Sequence, residues 1–365
     1  MRKEKLQYII LLFYAFVFLK YYLSSLSNVL TIGYIAVGYY ALLKAFIKSI
    51  YPARVIKWTV FIILLGVINF IVSSFFTSNF RYQDLLLLFP YMGVALIPFG
   101  IKLNYKLFKW FFVILICFFS FYALRGIDAN EIFSISRNFV SVLLLIGASY
   151  HIISAYQNGK KISLLLILLS LVIAIWTSGR SGIIVFSLLT LSIIFFDPTY
   201  KKFRIGYAFM LIVGAFIAYT YLYTDLISEG LSRFSNYGVE DTARSSVNAS
   251  YLKELNDNLI YLLVGAPLDQ IAAIVLLDLN PHNSIIRLHV FYGLAGVAIV
   301  AWLFFRSGVY LIRQRNYIFL FLLLCLLMRS YVDSTSFHGP LDPIIYYLLF
   351  QFLETSFSIG KRKVI

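Results

Sequence analysis

The sequence predicts an all-α polytopic membrane protein with about twelve transmembrane helices. Three observations predict it. Hydrophobic residues make up 61% of the 365 and charged residues only 13%, whereas soluble domains are roughly half apolar and a quarter charged. Apolar runs of spanning length follow one another almost end to end. Lysines fall in alternate breaks between those runs.

A spanning helix needs roughly 20 apolar residues, because about 30 Å of hydrocarbon is crossed at 1.5 Å per residue with every backbone group bonded internally. On that criterion spans fall near 6–24, 29–47, 58–76, 85–101, 107–124, 139–156, 162–177, 182–196, 205–223, 284–305, 317–332 and 343–359. The opening MRKEK and its apolar run have the start of a signal peptide. No small-residue cleavage site follows between Tyr21 and Asn28, so the segment reads as a retained first helix. The chain divides into 1–223 with nine spans, a long polar segment 224–283, and 284–365 with the last three. Cys117 and Cys325 lie inside apolar runs and suggest neither a disulfide framework nor a metal set.

A net charge of +15 raises nucleic acid as a partner, but the basic residues are dispersed between spans, where topology explains them. Lys3 and Lys5, Lys44 to Lys57, Lys102 to Lys109, Lys160 and Lys161, Lys201 to Arg204, Arg306 to Arg315, and Lys361 to Lys363 occupy one set of breaks. The positive-inside rule puts these, and both termini, in the cytoplasm.

The opposite breaks hold nearly all the acids, and their bases are almost all arginine: Arg81, Arg125, Arg137, Arg180, Arg233, Arg244 and Arg287, with Lys253 as the loop exception. Topology gives no reason for arginine outside. A guanidinium fork suits bidentate phosphate or carboxylate; the plain alternative is pairing with outer acids or lipid headgroups.

With the N-terminus inside, even-numbered spans begin on the outer face and turn their free N–H groups outward, which makes anion sites. Three polar clusters sit at such starts: Ser136-Arg137-Asn138, Thr177-Ser178-Gly179-Arg180-Ser181-Gly182, and Asn280-Pro281-His282-Asn283-Ser284. In the last, Asn280 can cap the helix and Pro281 take its first position, placing His282 in the first turn, where the dipole favours a neutral imidazole able to accept a proton. His289, one face-repeat deeper, reads as a packing residue. His151 and His338 carry no assigned role.

Within 224–283, a cap at Asp241 or Thr242 followed by Val247, Tyr251, Leu255, Leu259 and Leu262 on one stripe predicts an amphipathic helix ended by Gly265 and Pro267. Arg244 stands in its first turn, a poor place for a cation unless an anion is near. No carboxylate pair, DxD sequence, metal-ligand spacing, Walker loop or dinucleotide glycine pattern stands out, and no internal repeat is visible.

In the turn TSGRSGIIVF, the loop segment DTARSS and the stretch PHNSIIRLHVFYGLAGV, the sequence resembles the O-antigen polymerase and O-antigen ligase superfamily of bacterial envelope glycosyltransferases. The His-Asn pair followed by Gly-Leu-Ala-Gly is the most specific piece, and SRNF before the sixth span is a looser one. The resemblance implies a GT-C-like fold with one large late periplasmic loop in the bacterial inner membrane. It implies an active site facing the periplasm and metal-independent, cofactor-free transfer of a glycan from undecaprenyl diphosphate.

By that analogy Arg180 and Arg244 hold the diphosphate and His282 acts on the acceptor hydroxyl. Arg137, Asn138, Asn283 and Arg287 are further substrate-binding candidates. The partners implied are lipid-linked oligosaccharides as donor and acceptor, the bilayer, and a chain-length regulator. The divergence of the rest of the chain favours a polymerase, with a ligase acting on lipid A-core as the alternative. A flippase for lipid-linked sugars is the competitor of another class. It calls for charges within the spans, where Lys20, Arg329 and Glu354 are the few candidates.

Overall fold

The computed structural model describes residues 3–47, 51–76, 82–133, 136–204, 206, 242–277 and 279–353. Among them the regular structure is entirely helical. The helices are α1 (Gln7–Tyr22), α2 (Ser27–Ile47), α3 (Ala53–Phe76), α4 (Tyr82–Gly100), α5 (Tyr105–Leu124), the single turn α6 (Ala129–Ile132), α7 (Asn138–Gln157), α8 (Leu164–Trp176) and α9 (Arg180–Phe196). After the polar segment come α10 (Thr242–Asp257), α11 (Leu259–Val264), α12 (Ala272–Val275), α13 (Ser284–Arg313), α14 (Tyr317–Val332) and α15 (Asp342–Leu349).

Five helices are long and apolar enough to cross a membrane: Ser24–Ile47, Ala53–Phe76, Tyr105–Leu124, Asn138–Gln157 and Ser284–Arg313. Six shorter apolar helices pack with them, as in a multi-pass membrane protein. The ninth expected span, 205–223, apart from residue 206, and the end of the last, 354–359, lie outside the described residues.

The bundle is organised around α7, which is buried on almost every face. Its sequence explains this, because it is apolar all round and carries small residues that admit close neighbours. Gly147, for example, leaves room for the Phe112 ring, which stands 2.7 Å from where a Cβ would be. The same device joins α2 to α4. A Cβ on Gly93 would lie 2.2 Å from the Gly38 carbonyl, so a larger residue at either position drives the two backbones apart. In lipid such close packing substitutes for the missing hydrophobic drive between helices.

The polar segment departs from its expected shape. α10 ends at Asp257, and Asn258 then caps a separate short helix, accepting the Ile260 N–H with its side chain. The expected stripe holds for Val247, Tyr251 and Leu255, which are buried, but not beyond: Leu259 is 73% exposed and Leu262 40%. The break rotates the register, so that Tyr261 and Val264 turn inward instead. Gly265 does end the element, at φ +91°.

This segment docks on α13 at a kink. Gly293 has φ +63° and ψ −172° inside the helix, a conformation costly to any residue with a Cβ, and such a Cβ would lie 2.3 Å from the Leu263 carbonyl. The first glycine of Gly-Leu-Ala-Gly is thus the point where α11 touches α13. His289 fastens the same contact: Nδ1 and the Tyr251 hydroxyl are 2.8 Å apart, and Nε2 is 2.8 Å from the Leu262 carbonyl. Its expected packing role holds.

Candidate functional site

α7, α9 and α13 each begin at the same end of the bundle as the C-terminus of α14, and two charged residues of α14 gather the three starts. Arg329, only 1% exposed, donates to the Ser181 hydroxyl at the start of α9 and, over 3.0 Å, to the carbonyl of Asn138, the first residue of α7. Four residues on, Asp333 takes a third Arg329 bond at 3.2 Å. Its own carbonyl accepts from Ser284 Oγ, the first residue of α13, at 2.6 Å. The three clusters picked from sequence therefore meet around one ion pair.

His282 completes the group, 3.7 Å from Nδ1 to the Asp333 Oδ1. Its side chain is 35% exposed and that of Asp333 19%, so the imidazole is the accessible member and the carboxylate lies behind it. Burial alone would raise the Asp333 carboxyl. The hydrogen bond to His282, the Arg329 guanidinium, the His282 charge and the Ser334 N–H outweigh burial and hold it below the usual carboxylate range.

The placement of His282 corrects the sequence reading. α13 is capped by Asn283, whose Oδ1 accepts the Ile285 N–H at 2.9 Å, not by Asn280. Asn280 instead closes a turn by accepting the His282 N–H at 3.1 Å, and His282 takes φ +47° just before the helix. Both asparagines are good caps, so composition could not choose between them. His282 stands at the helix mouth, and its orientation comes from Asp333 and the turn.

The other candidates divide. Arg180 is the first residue of α9, after the cap Gly179, and Arg137 is the cap residue of α7; both are half-buried beside the ion pair's anchor residues. Asn138 contributes its carbonyl. The Asn283 amide is fully engaged, its Nδ2 donating at 3.2 Å to Asn248 of α10, which ties the polar segment to the mouth of α13. Arg287 lies one turn inside α13 and donates to the carbonyls of Ser334 at 3.0 Å and His338 at 3.3 Å. Arg244 belongs to the first turn of α10, but its side chain lies outside the described residues.

Sequence reasoning missed Asp333 as a site residue and treated Arg329 only as an internal charge. The i, i+4 spacing of Arg329 and Asp333 across a helix end was the available signal. The segment after Asp333 is also more than a connector: Thr335 to Leu341 is buried, and the Asp342 carboxylate accepts the N–H groups of Phe337, His338 and Gly339 at 2.6, 2.6 and 3.0 Å. His338 stacks on Phe291 at 4.2 Å, and burial followed by the Arg287 charge holds its imidazole well below the ordinary histidine value. Among the described residues no group of three or more His, Cys, Asp or Glu could hold a metal ion.

An accessible imidazole backed by a carboxylate, framed by three helix starts and two half-buried arginines, can accept a proton next to a bound anion. Compared with family models, curated proteins and solved structures, the chain matches none.

Proposed function

We propose that this chain is a membrane glycosyltransferase of the O-antigen polymerase type, transferring a growing glycan from undecaprenyl diphosphate to a lipid-linked repeat unit. In this reading about twelve spans place both termini in the cytoplasm, and the segment 224–283 lies with the site on the periplasmic face. The observation that carries the proposal is the meeting of His282, Asp333 and Arg329 with the starts of α7, α9 and α13. The resemblance in TSGRSG, DTARSS and PHNS supplies the substrate class.

The acceptor hydroxyl oxygen attacks the anomeric carbon of the donor. The carbon–oxygen bond to the diphosphate breaks, and undecaprenyl diphosphate leaves with the electron pair. The hydroxyl proton passes to Nε2 of His282, whose Nδ1 faces Asp333. Arg180, Arg244 and the free N–H groups of the helix starts meet the charge that develops on the leaving group. Arg329 is too buried to touch substrate and is a positioning residue.

The test is polysaccharide length in cells carrying His282→Ala, Arg180→Lys or Arg244→Lys. Each abolishes the long-chain ladder at unchanged protein level, and normal ladders from all three overturn the proposal. A deletion strain separates the alternatives. Single repeats on lipid A-core mark a lost polymerase, unlinked polymer on the lipid carrier a lost ligase, and repeats trapped on the cytoplasmic side a lost flippase.

A further inference from the structure

Beside the His282 site lies a second cationic group that the proposed chemistry has not used. Lys20, in the last turn of α1, holds its ammonium 5.1 Å from the Tyr21 ring centroid and 5.5 Å from that of Tyr34. Arg287, over the Phe291 ring at 5.8 Å, lies within electrostatic reach of Lys20, Tyr21 and Tyr34. Two like charges thus share one neighbourhood lined by aromatic rings. Among the described residues neither makes an ion pair. The carboxylate within reach of Arg287, Asp342, spends its oxygens on the three N–H groups of the 337–339 turn.

Such an arrangement is unfavourable as it stands. Like charges repel, and a cation one turn into a helix opposes the dipole. Arg287 gives only two of its five N–H donors to carbonyls, so the guanidinium keeps donors for a ligand. What relieves both penalties is a ligand carrying negative charge on several oxygens. The rings beside Lys20 add an apolar wall, which suits an anion attached to a hydrocarbon chain.

The position is also specific. Tyr21 packs on Phe139 at 4.3 Å, next to Asn138, whose carbonyl anchors Arg329. Ser334, which receives the Arg287 bond, directly follows Asp333. The two cations therefore adjoin the imidazole on the same stretch of chain. An acceptor's diphosphate is a whole repeat unit away from its reacting hydroxyl, whereas the donor's is bonded to the reacting carbon. Proximity favours the donor.

Resting on the function proposed above, we infer that Lys20 and Arg287 form a phosphate-binding station for the isoprenyl diphosphate of the donor, with Tyr21 and Tyr34 lining it. The sequence reading had set Lys20 aside as a possible transport charge. Here it closes the site from the α1 side, opposite Arg180.

The full chain in phosphatidylcholine nanodiscs, titrated with geranylgeranyl diphosphate, tests this. Lys20→Gln and Arg287→Gln each weaken binding by about tenfold or more, the size of one charge-assisted contact. Lys20→Arg restores most of it, which also excludes a folding defect as the cause. Unchanged affinity in both glutamine variants overturns the inference. So does equal competition by phosphatidylglycerol, which would make the station a headgroup site where Lys20 merely reaches the membrane surface. His282→Ala leaves this binding unchanged while blocking transfer. If transfer proves not to depend on His282, the functional proposal fails on its own readout and the binding result still decides the station.

Discussion

The two ends of the bundle solve the same structural problem with different chemistry. Where α5 begins and α7 ends, connectors are pinned by neutral side chains. Gln157 accepts the Leu103 N–H at 2.9 Å and donates to the Pro98 carbonyl at 3.0 Å, Gln7 accepts the Asn104 N–H at 2.8 Å, and Asn158 donates to the Leu103 carbonyl at 2.7 Å. His151 joins them as an acceptor for Ser163. Where α7, α9 and α13 begin, the pins are Arg329, Asp333 and Arg287. An amide satisfies a buried backbone group without desolvating a charge, so it is the cheaper solution. A fold that uses amides at one end and ions at the other has a reason for the ions beyond holding helices together. That reason is the anion chemistry proposed for the accessible His282.

The sharpest way to break this comparison is Arg329→Met. It strips Asp333 of its guanidinium partner and loses the bonds to Ser181 and Asn138, so thermal unfolding in detergent should show a loss of about 3–5 kcal/mol, with transfer abolished. Adding Asp333→Leu removes the stranded carboxylate and should recover much of the stability but none of the transfer. Recovery of both would mean the ions are structural only, and the contrast between the ends would fall.

A smaller effect sharpens it. Asp333→Asn should cost about 1–3 kcal/mol, because it weakens charge-assisted bonds without emptying the site. The pH dependence has a definite sign. The folded Asp333 carboxyl lies below its unfolded value, so its contribution is present above about pH 4 and is lost as pH falls through the folded value. The stability gap between wild type and variant should stay constant from pH 8 down to about pH 4 and close below that. A gap that changes between about pH 8 and pH 6 would track an imidazole instead, and would overturn the ordering of charge in this pair.

How far this contrast could be seen in the sequence depends on whether a feature is local. Helix positions such as Asn138–Gln157 and Tyr317–Val332 follow directly from apolar runs, because lipid leaves the backbone little alternative. The gathering of three helix starts was also legible, since chain alternation forces them to one face. The choice of Asn283 over Asn280 as cap was not, because either side chain satisfies the same N–H groups and distant contacts to Asn248 and Asp333 decide. The outward turn of Leu259 and Leu262 was hidden for a related reason. Asn258 reads as one more polar residue in a stripe until it is seen capping a new helix. The pairing of Asp333 with His282, 51 residues apart, required the packing of α14 against α13.

The neutral end supplies the smallest prediction and the control for the rest. Gln157→Leu is close to isosteric in the apolar part of the side chain but removes the acceptor for the Leu103 N–H and the donor for the Pro98 carbonyl. The stranded groups should cost about 1–3 kcal/mol of stability. Transfer per folded molecule should not change, because nothing at that end touches the starts of α7, α9 or α13. Measured together, unfolding temperature and transfer rate therefore separate the two ends: both fall for Arg329→Met, and only the first for Gln157→Leu. A Gln157→Leu protein that folds but fails to transfer would show that α7 couples its two ends, since it is the buried helix that runs from Gln157 to the Asn138 carbonyl anchoring Arg329.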